Sequence, residues 1–107
     1  MSGEKTIINL FEAWFYLRKP DLDHNSWQSN IASSPNPFGK SSAHVDIDTA
    51  EHIARITLWD TGECVLEIMN VISGEALLSS STVLANESDL STTLNDFCNH
   101  LLRLEPE

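Results

Sequence analysis

The stretch HIARITLWDTGECVLEIM, residues 52–69, decides the fold. It contains two runs in which apolar and polar residues alternate, with a Thr-Gly pair between them. Such alternation is typical of antiparallel strands that bury one face and leave the other in water. The apolar positions fall on even numbers in both runs, at Ala54, Ile56, Leu58, Cys64, Leu66 and Ile68. We therefore predict a central β-hairpin with the core on one side only.

One-sided burial also restricts how the two runs pair. A two-residue turn at residues 61–62 would place Ile56 opposite Glu67 and mix apolar with polar positions. A three-residue loop at residues 61–63 instead pairs Ile56 with Ile68, and its glycine can adopt the left-handed conformation that such a loop requires. The three-residue loop is therefore our prediction.

Working outward, the sequence predicts four strands and two helices. The strands are expected at residues 43–49, 52–60, 63–72 and 75–84, where period-2 patterns recur between turn signals. The helices are expected at residues 4–18, ending before Pro20, and at residues 87–103, capped by Asn86 or Ser88.

The segment between the first helix and the first strand, residues 19–42, is rich in proline, serine and asparagine, which predicts a long irregular connection. The expected fold class is α+β. It is a four-stranded antiparallel meander with the N-terminal and C-terminal helices packed on one face, in the order α-β-β-β-β-α.

Length and composition indicate one domain that fills residues 1–107. The N-terminus lacks the apolar core of a signal peptide, and no run approaches the roughly 20 apolar residues that span a bilayer. We therefore expect a cytoplasmic protein with no membrane partner. In that reducing compartment Cys64 and Cys98, which form no CxxC motif, are expected to be free thiols.

The net negative charge of the chain comes entirely from residues 43–107. Residues 43–107 contain twelve Asp or Glu against two Lys or Arg, whereas residues 1–42 contain four of each, which gives the net charge of −10. A surface of this kind repels nucleic acid and anionic membranes, so neither is an expected partner. It attracts basic proteins and accelerates their encounter, which points to protein binding.

The sequence contains no group of residues with the spacing of a catalytic or metal-binding site, so we expect that the protein is not an enzyme and binds no cofactor. His44, Asp46 and Asp48 share a strand face with His52 nearby, but alternate residues of a strand are separated by nearly 7 Å, too far for three of them to meet one ion. Cys64 and Cys98 fall on predicted core faces without a neighbouring base.

The solvent-facing side of the sheet is the candidate binding site. It combines carboxylates with Trp59 and a methionine, a composition that resembles the core and rim of a protein interface. The alternative is that the 19–42 segment covers Trp59 through Trp27 or Phe38. The residues expected to bind a partner are Asp46, Asp48, Trp59, Glu63 and Glu67.

The hairpin resembles the TriTu family of bacterial immunity proteins. That family has an "(I/V)T(V/L)W…G…LE" pattern, matched here by Ile56, Thr57, Leu58, Trp59, Gly62, Leu66 and Glu67. The Gly74-Glu75 turn with its strand and the final amphipathic helix are also similar. The resemblance covers residues 1–104 in element order and residues 43–84 in motif.

The resemblance implies an antidote encoded beside a polymorphic toxin, such as those of contact-dependent or Rhs-type systems. It implies one immunity-type domain that binds and blocks a cognate toxin domain stoichiometrically, with a basic nuclease as the expected toxin. The alternative function is an acidic secretion chaperone or adaptor for an effector protein. Such a chaperone would be a dimer with apolar grooves and would hold a partly unfolded segment.

Overall fold

A computed structural model describes residues 6–23 and 27–104. Two helices flank a five-stranded sheet in the chain order α1, β1, β2, β3, β4, β5, α2. The elements are α1 (Ile7–Leu22), β1 (Gln28–Ser34), β2 (Ser42–Asp48), β3 (His52–Trp59), β4 (Glu63–Asn70), β5 (Ala76–Val83) and α2 (Glu87–Leu104). The α+β class and the antiparallel meander are confirmed.

The predicted strand count is wrong, because the sheet has five strands in the order β1-β2-β3-β4-β5. The additional strand, β1, lies within the 19–42 segment that the proline and serine content had suggested was irregular. It fits between Pro20 and Pro35 and contains no proline itself. As an edge strand it needs only one apolar anchor, Ile31, which packs against the core.

The predicted hairpin register has the correct faces but is shifted by two residues. Ile56 pairs with Leu66, and Leu58 pairs with Cys64. The three-residue loop is Asp60-Thr61-Gly62, because a loop of this kind needs its left-handed residue in the third position. Gly62 occupies that position with φ of 93°.

Helix α1 continues past Pro20, contrary to the prediction, and ends at Leu22. Pro20 lies in the last turn, where it removes one intrahelical hydrogen bond, the one that its N–H would donate to the carbonyl of Tyr16. Beyond it, Leu22 is buried in the core and the N–H of Asp23 donates to the carbonyl of Lys19 at 2.9 Å. Residues 4 and 5 of the predicted helix lie outside the described residues.

A polar clamp joins the end of α1 to β1. The backbone N–H and hydroxyl of Ser29 both donate to Oδ1 of Asp23, at 2.9 and 2.6 Å. Nζ of Lys19 donates to the carbonyl of Ser29 at 2.7 Å and forms an ion pair with Asp23 at 2.9 Å. These contacts hold the edge of β1 that is not paired with β2 against the end of α1.

Both helices pack on the same face of the sheet, as predicted. Phe11, Trp14 and Phe15 of α1 share one apolar cluster with the inward residues of β2, β3 and β4, and α2 adds its own buried stripe. The α2 residues are Leu90, Leu94, Phe97 and Leu101. The indole N–H of Trp14 donates to Asn95 at 3.2 Å and joins the two helices directly.

The α2 helix starts with a reciprocal cap. Oδ1 of Asn86 accepts from the N–H of Asp89 at 2.9 Å, and Oδ2 of Asp89 accepts from the N–H of Ala85 at 3.0 Å. Asn86, the first of the two capping residues proposed from the sequence, therefore satisfies one of the backbone donors that the helix itself leaves free.

Replacing Gly62 with alanine is expected to destabilise the fold strongly. A Cβ there would lie 2.5 Å from the carbonyl oxygen of Leu84, and the left-handed backbone adds strain. Gly74 is a matched control, since it has φ of 75° but an added Cβ meets nothing within 4 Å. Urea unfolding should show a loss of about 1–2 kcal/mol for G74A and of about 3 kcal/mol or more for G62A. Equal losses would contradict this.

The clamp predicts a pH-dependent effect of Asp23→Asn. The Ser29 hydroxyl, and after it Lys19, hold the pKa of Asp23 below its ordinary value. The carboxylate therefore contributes stability that is complete above about pH 4 and is lost as the pH falls through the lowered folded-state pKa. Urea midpoints should differ between wild type and D23N at pH 7, and the difference should become smaller at an acidic pH below about 4.

The exposed Asp21, which has only a 3.7 Å contact with Arg18, provides the control. D21N should change the urea midpoint little at either pH. A D23N deficit of the same size at both pH values would show that the charge of Asp23 does not stabilise the fold.

Candidate functional site

The sheet has a face that no helix covers, which we call the outer face. Along the strands, every second side chain points toward the helices, and the side chains between them form the outer face. The antiparallel pairing aligns these residues in rows across the strands. The row Asn30, Asp46, Arg55, Glu67 and Ser79 crosses all five strands. All five residues predicted to bind a partner lie on this face or at its rim.

Asp46 is committed to an internal ion pair with Arg55. The guanidinium donates to both carboxylate oxygens, from Nε at 2.7 Å and from a terminal nitrogen at 3.2 Å. The hydrogen bond to Asp46 raises the pKa of Arg55, with smaller electrostatic contributions from Asp46 and Glu67. Asp46 also lies 3.5 Å from Nε2 of His44, and only 21% of its side chain is exposed. Its charge is therefore largely neutralised in the free protein.

Glu63 is also paired, to a residue that the sequence did not indicate. Nζ of Lys40 contacts Oε1 of Glu63 at 2.7 Å, and the Thr61 hydroxyl donates to the same oxygen at 3.0 Å. These two hydrogen bonds, that of Lys40 first, lower the pKa of Glu63. Lys40 comes from the β1–β2 connection, so its position depends on a loop path that alternation patterns do not reveal.

Trp59 is half-buried, but neither residue proposed to cover it does so. Phe38 is 97% exposed, and Trp27 packs on the core on the opposite side of the sheet. Instead Nζ of Lys40 lies 5.8 Å from the centre of the Trp59 ring. This cation–π geometry leaves part of the indole accessible to a partner.

Asp48 and Glu67 are the predicted site residues whose charge remains available. Both are exposed, and among the described residues neither forms an ion pair. The structure thus divides the predicted carboxylates into two in internal ion pairs, Asp46 and Glu63, and two without one among the described residues, Asp48 and Glu67. Glu67 still lies opposite Arg55 and interacts with it electrostatically.

Sequence reasoning underestimated the apolar part of the outer face. Ile53 pairs with Met69 beside Asp48, and each of these two side chains is 40% exposed. They line a shallow depression of about 510 Å³ together with the charged residues Asp46, Asp48, Arg55 and Glu67. The alternating pattern of the sequence places Met69 on the outer face. It gives no such indication for Ile53, because the regular alternation of that strand begins at Ala54. The depression offers apolar contact area next to free negative charge.

The described residues show no side-chain cluster suited to metal binding. No group of three His, Cys, Asp or Glu residues among them converges on one point. His52 is buried on the core side of β3, away from His44 on the outer face. Burial raises the pKa of Cys64 and Cys98 to about 11, so both free cysteines are protonated thiols at neutral pH.

In the part of the chain that the structure describes, neither helix is long and apolar enough to cross a membrane.

Because Asp46 is paired and Asp48 is not, their substitution is predicted to have unequal effects on the free energy of unfolding. Asp46→Asn should lower the free energy of unfolding by up to about 1 kcal/mol, because Arg55 loses its bidentate partner. Asp48→Asn should leave it unchanged within error, since Asp48 has no such partner. Urea unfolding at pH 7 and low salt measures both. A larger loss in D48N than in D46N would contradict the division.

Comparison with known proteins identifies the same family that the central hairpin resembles. A search of curated proteins gives no match to this chain. The family model described as "Immunity protein TriTu" matches residues 9–100. That range begins within α1, includes all five strands and ends within α2. The chain therefore belongs to the TriTu family of immunity proteins.

Proposed function

We propose that this chain is a cytoplasmic immunity protein, formed by one immunity-type domain over residues 1–107, that binds and neutralises a cognate toxin domain. The observation that carries the proposal is the family match over residues 9–100. Membership of an immunity family implies a toxin partner. The open outer face supports the location of the contact, at Asp46, Asp48, Trp59, Glu63 and Glu67.

Two features of the outer face support its role in binding. The side chains of this face are not part of the apolar core, so a partner can contact them without disturbing the packing of the helices. It also combines an accessible indole with a depression in which Ile53 and Met69 lie beside charged side chains, Asp48 and Glu67 among them. Protein interfaces characteristically place apolar and aromatic groups at the centre and charged groups at the rim.

The electrostatics support a basic toxin domain, with a nuclease as the candidate class. A nuclease needs a basic cleft to hold its substrate, and a protein with a net charge of −10 is attracted to such a cleft. Asp48 and Glu67 can form ion pairs across the interface at once. Asp46 and Glu63 can do so only if a toxin residue replaces or joins Arg55 and Lys40, which adds selectivity.

Inhibition in this proposal is stoichiometric and needs no catalytic step by the immunity protein. The protonated state of both cysteines agrees with that, since a nucleophilic cysteine requires a thiolate. The family match favours the antidote over the chaperone interpretation. An antidote binds a folded toxin domain, whereas a chaperone holds an unfolded segment, so the folded state of the bound partner separates the two functions.

Charge reversal on the outer face should weaken toxin binding. The partner for the test is the cognate toxin domain, to be sought first at the C-terminus of any large secreted protein that the gene immediately upstream encodes. The double variant D48K/E67K should raise the dissociation constant at least about a hundredfold at low salt, because two attractive contacts become repulsive. Wild-type affinity should fall steeply with added NaCl, and the variant should lose most of that dependence. Titration calorimetry across a salt series measures both.

The matched control is D21K/D96K, two charge reversals at exposed positions of α1 and α2, which pack on the far side of the sheet. It should change the dissociation constant only slightly, through the net charge. Coexpression with the toxin provides a second measurement, in which the control variant protects growth and D48K/E67K does not. If both variants bind alike, the outer face is not the site.

A further inference from the structure

The most exposed large apolar side chain among the described residues is that of Phe38, which is 97% exposed. It lies in the β1–β2 connection, at the end of the sheet where the β3–β4 loop also lies. Single exposed apolar residues are common on protein surfaces, so exposure alone assigns no role to this one. Two further features of the connection, the fixed geometry of its turn and its contacts with the outer face, indicate a role in binding.

The turn that carries Phe38 is fixed by side-chain and backbone hydrogen bonds. The N–H of Phe38 donates to Oδ1 of Asn36 at 3.0 Å, and the N–H of Gly39 donates to the Asn36 carbonyl at 3.3 Å. The N–H of Asn36 donates to the hydroxyl of Ser41 at 2.9 Å. The N–H of Ser41 donates to Oδ2 of Asp60 at 3.0 Å, which attaches the turn to the β3–β4 loop. The backbone of Phe38 is therefore held in place although its ring is in water.

The connection also contacts the outer face through Lys40. Its Nζ forms an ion pair with Glu63 at 2.7 Å and lies 5.8 Å from the centre of the Trp59 ring. Phe38 precedes Lys40 by two residues. It is therefore held at the end of the sheet where the outer face carries Trp59 and Glu63, two of the residues predicted to bind a partner.

The two ends of the outer face differ in chemistry. A second depression, of about 330 Å³, lies at the end near Lys40, and Trp59, Val65 and Val83 are among its lining residues. Val83 is 65% exposed. At the opposite end of β2, Asp48 forms no ion pair among the described residues. One end of the outer face is therefore aromatic and apolar, whereas the other carries available negative charge.

We propose that Phe38 is an anchor of the interface with the toxin domain and that its ring enters an apolar pocket of that domain beside Trp59. This inference rests on the proposed function and adds a division of labour to it. Phe38, with Trp59 and Val83, supplies the contacts that hold the complex together. Asp48 and Glu67 attract the basic partner and accelerate its encounter.

The free energy of such a contact comes from the removal of the phenyl ring from water. The ring contributes little to the core of the free protein, so nothing in the fold has to be disrupted when a partner covers it. Because hydrogen bonds already fix the turn, little conformational entropy is lost on binding. Aromatic residues are enriched in protein interfaces, in agreement with this role.

Charge favours the toxin domain over other occupants of this surface. Two copies of a chain with a net charge of −10 repel each other, and an anionic membrane repels the chain in the same way. A basic domain is attracted to the acidic end of the outer face. That attraction brings its surface to the aromatic end of the same sheet.

Surface plasmon resonance with the cognate toxin domain tests the inference, because it separates the two rate constants. Phe38→Ala should raise the dissociation constant about thirtyfold, since a buried phenyl ring is lost. The change should come from faster dissociation, and the salt dependence of association should stay that of the wild type. D48K/E67K should instead slow association. Circular dichroism and urea unfolding check that each variant is folded.

The matched control is Leu17→Ala, at an apolar residue that is 78% exposed on α1, a helix that packs on the other face of the sheet. It should leave both rate constants unchanged within error. Asn36→Ala keeps the ring but removes the acceptor for the N–H of Phe38. It should raise the dissociation constant less than Phe38→Ala does, by about threefold, because the turn must then be ordered on binding.

The outcomes separate this inference from the proposed function. If F38A dissociates no faster than L17A, or if it acts by slower association, the inference is wrong, while the proposed function stands as long as the wild type binds. If the wild type does not bind the toxin domain, both are wrong. Sedimentation equilibrium of the free chain should show a monomer. A dimer that F38A dissociates would place a second copy on this residue and overturn the inference.

Discussion

One-sided burial of the sheet is the constraint on which the rest of this structure depends. The alternation in β3 and β4 sends every second residue inward, and both helices are placed on the side that results. A shift of one residue in any strand would exchange its two faces, so the register is held by the free energy of burying the whole core. As a result, the outer face of the sheet does not take part in the apolar core.

The electrostatics of the outer face follow from cross-strand pairing rather than from net charge. The pairing of β2 with β3 places Arg55 opposite Asp46, and the β1–β2 connection brings Lys40 to Glu63. A surface that composition would describe as uniformly acidic is therefore a pattern of neutralised and free carboxylates. Such a pattern discriminates between partners more sharply than a uniform field, because a wrong partner leaves a charge desolvated and unpaired.

The sequence allowed the two faces of β2, β3 and β4 to be assigned, since strict alternation has only one interpretation when one side is buried. It failed where structure depends on contacts between distant segments. β1 has weak β-propensity and is held by Asp23 and Lys19, and the last turn of α1 is held beyond Pro20 by the burial of Leu22. The hairpin loop was displaced by one residue because the position of the glycine within the loop, not its presence alone, decides the register. The cover over Trp59 could not be inferred because a lysine, not an aromatic residue, supplies it.

The separation of the outer face from the core has a consequence for how such a protein changes over time. Exposed substitutions that touch no core residue alter stability by only about 0.5 kcal/mol. A lineage can therefore replace the exposed residues of the rows across β2, β3 and β4 one after another while the helices and the inward side chains stay as they are. Under the proposed function, recognition of a different toxin then requires no change of fold, and the substitutions that alter specificity are confined to a few surface positions.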